Sequence, residues 1–290
     1  MPIATPRQLY GSINFTLRGE ELDHDPSVYE TTFDPDRPRP QKTLVVPVND
    51  LRPELARGGL SVDSQVKSRG WAVSTHESEW VDQIGTEAGI EKYLEESAEL
   101  IKKELGATRV VTWNSTCRKA DDRKEDFVPR QEEPEKGFVP TARIQPPAAR
   151  AHVDQAPEWA KKVVEMATGE DPDTFKRSMI INIWRPLHGP VTNAPLGMLD
   201  FPTASADDFL LGMSNFGNGL RIAHSPGQKW YYVRHQMPNE IVYLMCYDST
   251  TNVCAGHTAI EVGEQDRQGV DEALIKPRES IEVRMIAVWE

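Results

Sequence analysis

Cysteine is scarce in this sequence of 290 residues. Only Cys117, Cys246 and Cys254 occur, and no two of them form a Cys-x-x-Cys pair. Neither a disulfide framework nor a thiolate zinc site is therefore indicated, and we expect a reducing compartment. Long apolar runs are also missing: the longest, residues 241–247, is far shorter than the roughly 18 residues of a membrane helix. The first residues show no charged region followed by an apolar one. We expect a soluble, cytoplasmic protein.

Positive charge is in deficit, since 33 Lys and Arg face 45 Asp and Glu, a formal net charge of −12. This balance argues against a nucleic-acid partner or an anionic membrane surface. No repeat is visible at periods of about 20–50 residues, which argues against solenoids and propellers. The length favours a single domain over residues 1–290. Proline is abundant, with 22 residues, and favours a fold rich in loops and strands.

The first 69 residues contain short strand-like pieces at 12–17 and 43–48 that are separated by proline-rich turns. We expect this part to form an extended arm or outer strands. A helix is predicted at 87–105, with Thr86 and Gly106 as its caps. Its apolar residues recur every three or four positions and form one stripe, namely Ile90, Leu94, Ala98, Ile101 and Leu105.

A charged segment follows a strand predicted at 109–113. From Arg118 to Lys136, 13 of 19 residues are charged, so this stretch cannot form a core. Two interpretations of about 118–145 stay open: a solvated, mobile loop, or a lid over a nearby site. A short helix is predicted after Pro157.

From residue 178 onward, short β-type runs recur without long helices between them. Such a pattern is typical of an antiparallel sandwich, jelly roll or barrel. We expect a mainly β fold, with the helix at 87–105 packed outside one sheet.

The segment Ala151-His152-Val153-Asp154 is the first candidate for chemistry. On a strand, residues two apart face the same side, so His152 and Asp154 can offer a nitrogen and an oxygen to one metal ion. Two histidines and one carboxylate leave open positions on non-haem Fe(II), so a distal histidine is required. Three downstream histidines lie in turns or at a strand end and are typical of surface positions: His188, His224 and His235. His257 instead begins a predicted strand.

Arg278 and Ser280 are the second candidate, because an Arg-x-Ser pair on a strand places a guanidinium and a hydroxyl on one face, suited to a carboxylate. Polar and apolar residues alternate through this last strand. The polar face either lines a cavity or is an outer face with a cross-strand ion pair.

Polar and aromatic residues in two other strands supply further candidates. Asn182 and Trp184 share one face of their strand, and Arg185 lies on the other. Arg185 either binds a carboxylate or pairs with a surface acid. Trp230, Tyr231 and Tyr232 either line a pocket or belong to the core.

The sequence resembles the Fe(II)- and 2-oxoglutarate-dependent oxygenases grouped with the cephamycin 7α-hydroxylase component and the fungal gibberellin desaturase. The resemblance begins near Gly70 and is carried by YLEESAELIKKELGATRVVTWNSTCR, AHVDQAP, NIWRPLHGPV, PLGMLD, WYYVRHQMPNEIVYLMCYDS, GHTAI and RESIEVR. It implies a distorted double-stranded β-helix, that is, a cupin-like jelly roll. It further implies that His152, Asp154 and His257 bind Fe(II), and that Arg278 and Ser280 hold the distal carboxylate of 2-oxoglutarate.

The activity implied by this resemblance is O2-dependent hydroxylation, desaturation or cyclisation of a small secondary metabolite, with release of succinate and CO2. Asn182 and Arg185 are additional candidates for the co-substrate, and Trp184, Tyr231 and Tyr232 for the substrate. Two other functions are kept open. One is a jelly-roll metalloenzyme without redox chemistry, such as an isomerase or hydrolase, and the other is a binding module without catalysis.

Overall fold

The computed structural model describes residues 8–23, 25–29, 38–120, 145–214 and 217–290. The strands of this part of the chain are β1 Leu9–Thr16, β2 Gln41–Asp50, β3 Trp71–Thr75, β4 Arg109–Lys119, β5 His152–Val153, β6 Arg177–Pro186, β7 Leu196–Leu199, β8 Phe209–Gly212, β9 Gly219–Ile222, β10 Trp230–Tyr232, β11 Glu240–Asp248, β12 His257–Ala259 and β13 Glu279–Trp289. The α-helices are α1 Arg52–Leu55, α2 Val62–Arg69, α3 Glu87–Leu105 and α4 Pro157–Thr168. The 3-10 helices are Gly19–Glu21, Pro26–Tyr29, Val81–Gln83, Pro172–Thr174, Phe201–Thr203, Ala206–Asp208, Gly263–Asp266 and Glu272–Leu274.

The larger sheet has eight strands in the order β1-β2-β10-β7-β12-β5-β9-β8. Its neighbours are antiparallel except for β2 and β10, which run parallel. The two strands expected within the first 69 residues, β1 and β2, form one edge of this sheet. Helices α1 and α2 in the same region were not expected, because α2 buries only Val62 and Val66 and so shows little apolar periodicity.

The smaller sheet has five strands in the order β3-β11-β6-β13-β4, and its outer face is covered by α3. The predicted caps of this helix are confirmed: Thr86 Oγ1 accepts a hydrogen bond from Gly89 N, and Gly106 is left-handed at φ 66°. The buried stripe of α3 includes Leu94 and Ile101, which pack against apolar residues of β6, β11 and β13. The prediction of a helix packed outside one sheet is therefore confirmed.

The two sheets pack face to face. Their shared core joins side chains from β7 in the larger sheet to side chains from β3, β6 and β11 in the smaller one, and it includes Trp71, Val73, Trp184, Leu196, Met198, Val242 and Leu244. This architecture is a jelly roll, as expected from the recurring short strands. Helix α4 closes one end of the structure by packing Ala160, Val163 and Val164 on residues that include Ile180, Cys246, Ile286 and Val288.

Most of the charged segment at about 118–145 lies outside the described residues, so neither interpretation of it, mobile loop or lid, is tested. Its first residues, Arg118 and Lys119, end strand β4 and pair with Ser280 and Glu279 of β13. The segment therefore begins inside the sheet rather than after it. Within the described part of the chain, no helix has the length and apolar character needed to cross a bilayer.

Candidate active site

His152, Asp154 and His257 meet at one point between the sheets. His152 in β5 and His257 in β12 are direct cross-strand neighbours, with ring centroids 4.3 Å apart. Oδ1 of Asp154 lies 3.2 Å from Nε2 of His152 and 4.0 Å from Nε2 of His257. One ligand atom from each residue lies within 4.8 Å of the others, and among the described residues this is the one such group of three. The structure therefore brings His257 next to His152 and Asp154, which precede it by 105 and 103 positions in the sequence.

Both imidazole rings are oriented by the backbone. Nδ1 of His152 lies 2.7 Å from the carbonyl oxygen of Arg150, and Nδ1 of His257 lies 3.0 Å from that of Ala255. A ring that donates its Nδ1 proton to a carbonyl keeps Nε2 unprotonated and available as a ligand. Burial, and then the neighbouring His152, lower the pKa of His257, so its ring favours the neutral form that a metal needs. The donor set therefore fits a divalent metal ion.

The second oxygen of Asp154 is held by two donors. Oδ2 accepts hydrogen bonds from Nδ2 of Asn182 at 3.0 Å and from Nε of Arg284 at 2.9 Å. Burial by itself raises the pKa of Asp154, but the charge of Arg284 and the hydrogen bond with His152 outweigh it and hold this pKa well below its usual range. Asp154 is thus an ionised carboxylate with Oδ1 directed at the histidines.

Glu282 completes a buried group that we call the Asp154 clamp: Asn182, Glu282 and Arg284. Asn182 Nδ2 also donates to Oε1 of Glu282 at 2.7 Å, and Nη2 of Arg284 donates to Oε2 of Glu282 at 3.1 Å. Nη1 of Arg284 donates to side-chain oxygens of Asn114 and Thr116 in β4. The alternation of β13 predicted that Glu282 and Arg284 share a polar face, and their burial shows that this face is internal rather than an outer face.

Arg278 and Ser280 lie at the start of the same polar face. They are 2% and 1% exposed, yet Nε of Arg278 and Oγ of Ser280 have no hydrogen-bond partner among the described residues. Nη1 of Arg278 donates to the carbonyl oxygen of Ala194 at 2.6 Å. Burial, followed by the charge of Arg118, lowers the pKa of Arg278 to about 9. A buried cation next to an unused hydroxyl is an arrangement that an anionic ligand would stabilise.

A single cavity connects the histidines with Arg278. It is lined by Arg118, Ala148, His152, Trp184, Leu196, His257, Thr258, Ala259, Arg278 and Glu282. The guanidinium of Arg278 stacks over the ring of Trp184 at 5.6 Å. Trp184, a candidate for the substrate, is one of the residues that line this cavity. Arg118 was missed because it was assigned to the charged loop, although its place two residues beyond Thr116 in β4 gives it the same face.

Arg185 is not in this cavity, which corrects its assignment as a co-substrate candidate. Its Nε donates to the hydroxyl of Tyr93 at 2.9 Å, and Nη1 donates to the carbonyl oxygens of His76 and Pro238. These bonds fix α3 to the outer face of the smaller sheet. The reason is the alternation of β6, which turns Arg185 away from Asn182 and Trp184.

Tyr231 and Tyr232 also lie outside the cavity lining. The ring of Tyr231 packs at 5.9 Å from the ring of Trp71. Tyr232 is buried, and its hydroxyl donates to Oδ1 of Asp266 at 2.9 Å. Tyr232 therefore belongs to the core, and neither tyrosine is among the residues that line this cavity.

The other downstream histidines bind neighbouring groups elsewhere. Nε2 of His188 lies 2.8 Å from the carbonyl oxygen of Pro277, and Nε2 of His235 lies 2.7 Å from that of Asp266. His224 packs edge-on against Phe15. None of the three joins Asp154.

Known proteins share sequence similarity with most of this chain. The family model described as "Oxidoreductase/YMDC permease-like domain" matches residues 14–288. The chain is 29% identical to the hydroxylase/desaturase efuI of Hormonema carpetanum over 86% of this chain and 84% of that protein. It is 28% identical to the alpha-ketoglutarate-dependent dioxygenase phiK of a fungal species, over 83% and 89%.

A solved structure shares the fold. The iron and alpha-ketoglutarate-dependent endoperoxidase NvfI superimposes with a TM-score of 0.74 over 98% of this chain and 99% of that chain, at 23% identity. The jelly roll is therefore common to both proteins, and the resemblance found in the sequence is confirmed.

Proposed function

This chain belongs to the family described as an oxidoreductase/YMDC permease-like domain, and we propose that its cavity is the active centre of a small-molecule oxygenase. The protein is a non-haem iron, 2-oxoglutarate-dependent dioxygenase with Fe(II), 2-oxoglutarate and O2 as its cofactor and co-substrates. It hydroxylates, desaturates or cyclises a secondary metabolite and releases succinate and CO2.

One observation carries the assignment of residues: a three-ligand cluster and an unsatisfied buried cation share one cavity. We assign His152, Asp154 and His257 to Fe(II). Two histidines and one carboxylate leave positions on the metal free for a co-substrate and dioxygen. When bound, the iron supplies the dioxygen chemistry that side chains cannot perform.

Arg278 and Ser280 are assigned to the distal carboxylate of 2-oxoglutarate. Both residues are buried, and within the described part of the chain Nε of Arg278 and the hydroxyl of Ser280 have no hydrogen-bond partner. A guanidinium binds a carboxylate with charge-assisted hydrogen bonds, which are about twice as strong as neutral ones. A zinc isomerase or hydrolase, or a binding module without catalysis, does not account for the similarity of this chain to alpha-ketoglutarate-dependent dioxygenases.

The remaining cavity residues orient the ligands and exclude water. Asn182 is assigned to Asp154 rather than to the co-substrate, because its amide is 3.0 Å from that carboxylate. The ring of Trp184 lies against Arg278 and shields it from water, which strengthens its attraction for an anion. Leu196 adds an apolar wall.

The setting of the enzyme is proposed from composition. All three cysteines are free thiols, which agrees with a reducing cytoplasm. The net charge of −12 speaks against nucleic acid as a partner, and a small molecule is the expected ligand. Residues 1–290 are proposed to act as a single oxygenase domain, with the segment at about 118–145 as a loop or lid.

The function is tested by succinate formation and O2 uptake by anaerobically purified protein supplied with Fe(II), ascorbate and 2-oxoglutarate. We expect slow, substrate-independent turnover that a chelator stops. The matched control is His152→Ala with the same additions. No succinate and no 2-oxoglutarate-dependent absorption band on adding Fe(II) to the wild-type protein would contradict the proposed function.

A further inference from the structure

Two arginines lie next to the metal-ligand candidate His152, and neither forms an ion pair with a carboxylate among the described residues. Arg221 in β9 is the direct cross-strand neighbour of His152, so the two side chains lie on the same face of the sheet. Arg150 precedes His152 by two residues in extended chain and shares that face. Both arginines are half-buried.

The polar contacts of these two side chains are few. Nε of Arg150 donates to the neutral oxygen Oε1 of Gln41 at 2.7 Å. Arg221 has no side-chain hydrogen bond and no ion pair among the described residues. Burial lowers the pKa of both arginines, and the charge of Arg221 lowers that of Arg150 further. The two guanidinium groups therefore repel each other. The opposing charge at Arg221 is that of Asp154, whose Oδ2 is already bonded to Asn182 and Arg284.

The charge around the site is positive although the whole chain is acidic. Five guanidinium groups surround the three ligand residues, and two carboxylates oppose them. The cations are Arg118, Arg150, Arg221, Arg278 and Arg284, and the anions are Asp154 and Glu282. A divalent metal and the dianion 2-oxoglutarate cancel each other, so the excess of positive charge persists when both are bound. A further anionic ligand would neutralise it.

Arg150 and Arg221 are distinct from the proposed co-substrate anchor. The cavity that holds Arg278 is lined by Arg118 but by neither Arg150 nor Arg221. Its anchor also has its own unused donors, on Arg278 and Ser280. The pair next to His152 is therefore available for a second anion.

Gly212 provides the space that Arg221 occupies. A Cβ atom at Gly212 would lie 2.7 Å from both Cγ and Nε of Arg221, which is closer than such contacts allow. The arginine stem thus lies across the glycine of the neighbouring strand β8. This packing confines the guanidinium to the face that carries His152.

We propose that Arg150 and Arg221 bind a carboxylate of the organic substrate, so that this enzyme selects anionic small molecules. The inference rests on the proposed function, since it concerns the substrate of the same metal site. A guanidinium fork matches a carboxylate in geometry and charge. Two such groups next to a metal ligand would place the carbon skeleton attached to that carboxylate near the metal.

The test uses anaerobic wild-type protein loaded with Fe(II) and 2-oxoglutarate. The probes are 1-naphthoic, cinnamic and decanoic acids, each paired with its methyl ester, and binding is measured by the perturbation of the 2-oxoglutarate-dependent absorption band. We expect at least one acid to bind about tenfold to a hundredfold more tightly than its ester, the range for a charged hydrogen-bonded contact. Arg221→Gln should remove this preference, and Arg221→Lys should retain part of it.

The control variant is Arg267→Gln, which removes the same charge from an exposed residue paired with Glu264, and it should behave as wild type. The affinity for 2-oxoglutarate should be unchanged in Arg221→Gln. Equal binding of every acid and its ester, or an acid preference that survives Arg221→Gln, would overturn the inference. Tighter binding of 1-naphthyl phosphate than of 1-naphthoic acid would overturn the choice of a carboxylate. Absence of the band in the wild-type protein would instead overturn the proposed function, and this inference with it.

Discussion

Arg284 donates a hydrogen bond from Nε to Oδ2 of Asp154 at 2.9 Å, although the two residues are 130 positions apart in the chain. The bond lies in the interior, where a carboxylate is costly unless it is paired and hydrogen-bonded. Arg284 therefore keeps Asp154 ionised and fixes which of its oxygens faces the histidines. Asn182 and Glu282 support the same geometry from neighbouring positions of the smaller sheet.

Removal of the Asn182 amide should weaken metal binding. In Asn182→Ala, Asp154 loses one of its two Oδ2 donors, and loss of such an outer partner typically costs about 10–100-fold in metal affinity. Titration calorimetry with Mn(II) under nitrogen would measure the change. The control is Asn239→Ala, whose amide donates to the exposed Glu77. Equal Mn(II) affinity in wild type and Asn182→Ala would show that the clamp does not position the ligand.

Removal of either proposed histidine ligand should abolish tight metal binding. His152→Ala and His257→Ala each leave two ligands, too few for a stable Fe(II) site. Calorimetry with Mn(II) and succinate formation with Fe(II) should both report the loss, while circular dichroism should show an intact fold. His224→Ala serves as the matched control, because its ring packs on Phe15 away from Asp154. Retained iron and turnover in the double variant of His152 and His257 would disprove the ligand assignment.

Loss of the Arg278 guanidinium should raise the apparent KM for 2-oxoglutarate. A charged hydrogen-bonded contact contributes about 1.5–3 kcal/mol, so Arg278→Ala should raise KM about tenfold or more. Ser280→Ala should have a smaller effect, since it removes one neutral donor. Metal affinity, measured with Mn(II), should be unchanged in both variants. If KM stays constant in Arg278→Ala, the anchor must be Arg118, the other cation of the cavity.

Substitution of Gly212 should disturb substrate selection without touching the metal. Gly212→Ala places a methyl group against the stem of Arg221, so the guanidinium must move and the preference for acids over methyl esters should fall. Mn(II) affinity should stay at the wild-type value. Gly85→Ala is the control, because a Cβ at Gly85 meets nothing within 4 Å. If Gly212→Ala keeps the wild-type preference for acids over methyl esters, Gly212 does not position the Arg221 guanidinium for substrate binding.

Asp248 should make stability sensitive to acid. Burial raises its pKa, but hydrogen bonds from Arg177 and Thr250 outweigh this, and the pKa lies below the ordinary value of 3.8. Its stabilising effect is thus complete above that value and is lost as pH falls through the lower folded pKa. Asp248→Ala should lower the free energy of unfolding at pH 7 by about 1–3 kcal/mol, because the buried carboxylate's hydrogen bonds with Arg177 and Thr250 are lost.

Urea unfolding at pH 7 and at pH 3 measures this effect. The difference between wild type and Asp248→Ala should shrink at the lower pH, since pH 3 lies below the ordinary value of 3.8 and the unfolded wild-type chain then gains stability by protonation of Asp248. Asp63→Ala, which breaks an exposed pair with Lys67, should change stability by less than about 1 kcal/mol. If the difference in unfolding free energy between wild type and Asp248→Ala is the same at pH 7 and pH 3, the role assigned to the ion pair of Asp248 and Arg177 is wrong.

Short-range patterns determined several features in advance. The three-to-four spacing of apolar residues predicted α3, and Thr86 and Gly106 marked its ends, because capping depends on the residues next to a helix. Alternation along β13 predicted one polar face, which includes Arg278, Ser280 and Glu282. The spacing of His152 and Asp154 predicted a shared orientation. Each of these features depends on the geometry of a single strand or helix.

Contacts between distant strands were decided only by the tertiary structure. Alternation along β6 grouped Asn182 with Trp184 but left open whether their face was internal. The pairing register of β6 with β13 places Asn182 opposite Arg284. Register likewise places Arg221 next to His152, and the sequence gives no sign of that neighbour. The physical reason is that alternation fixes the side on which a residue points, whereas pairing between strands fixes what it meets there.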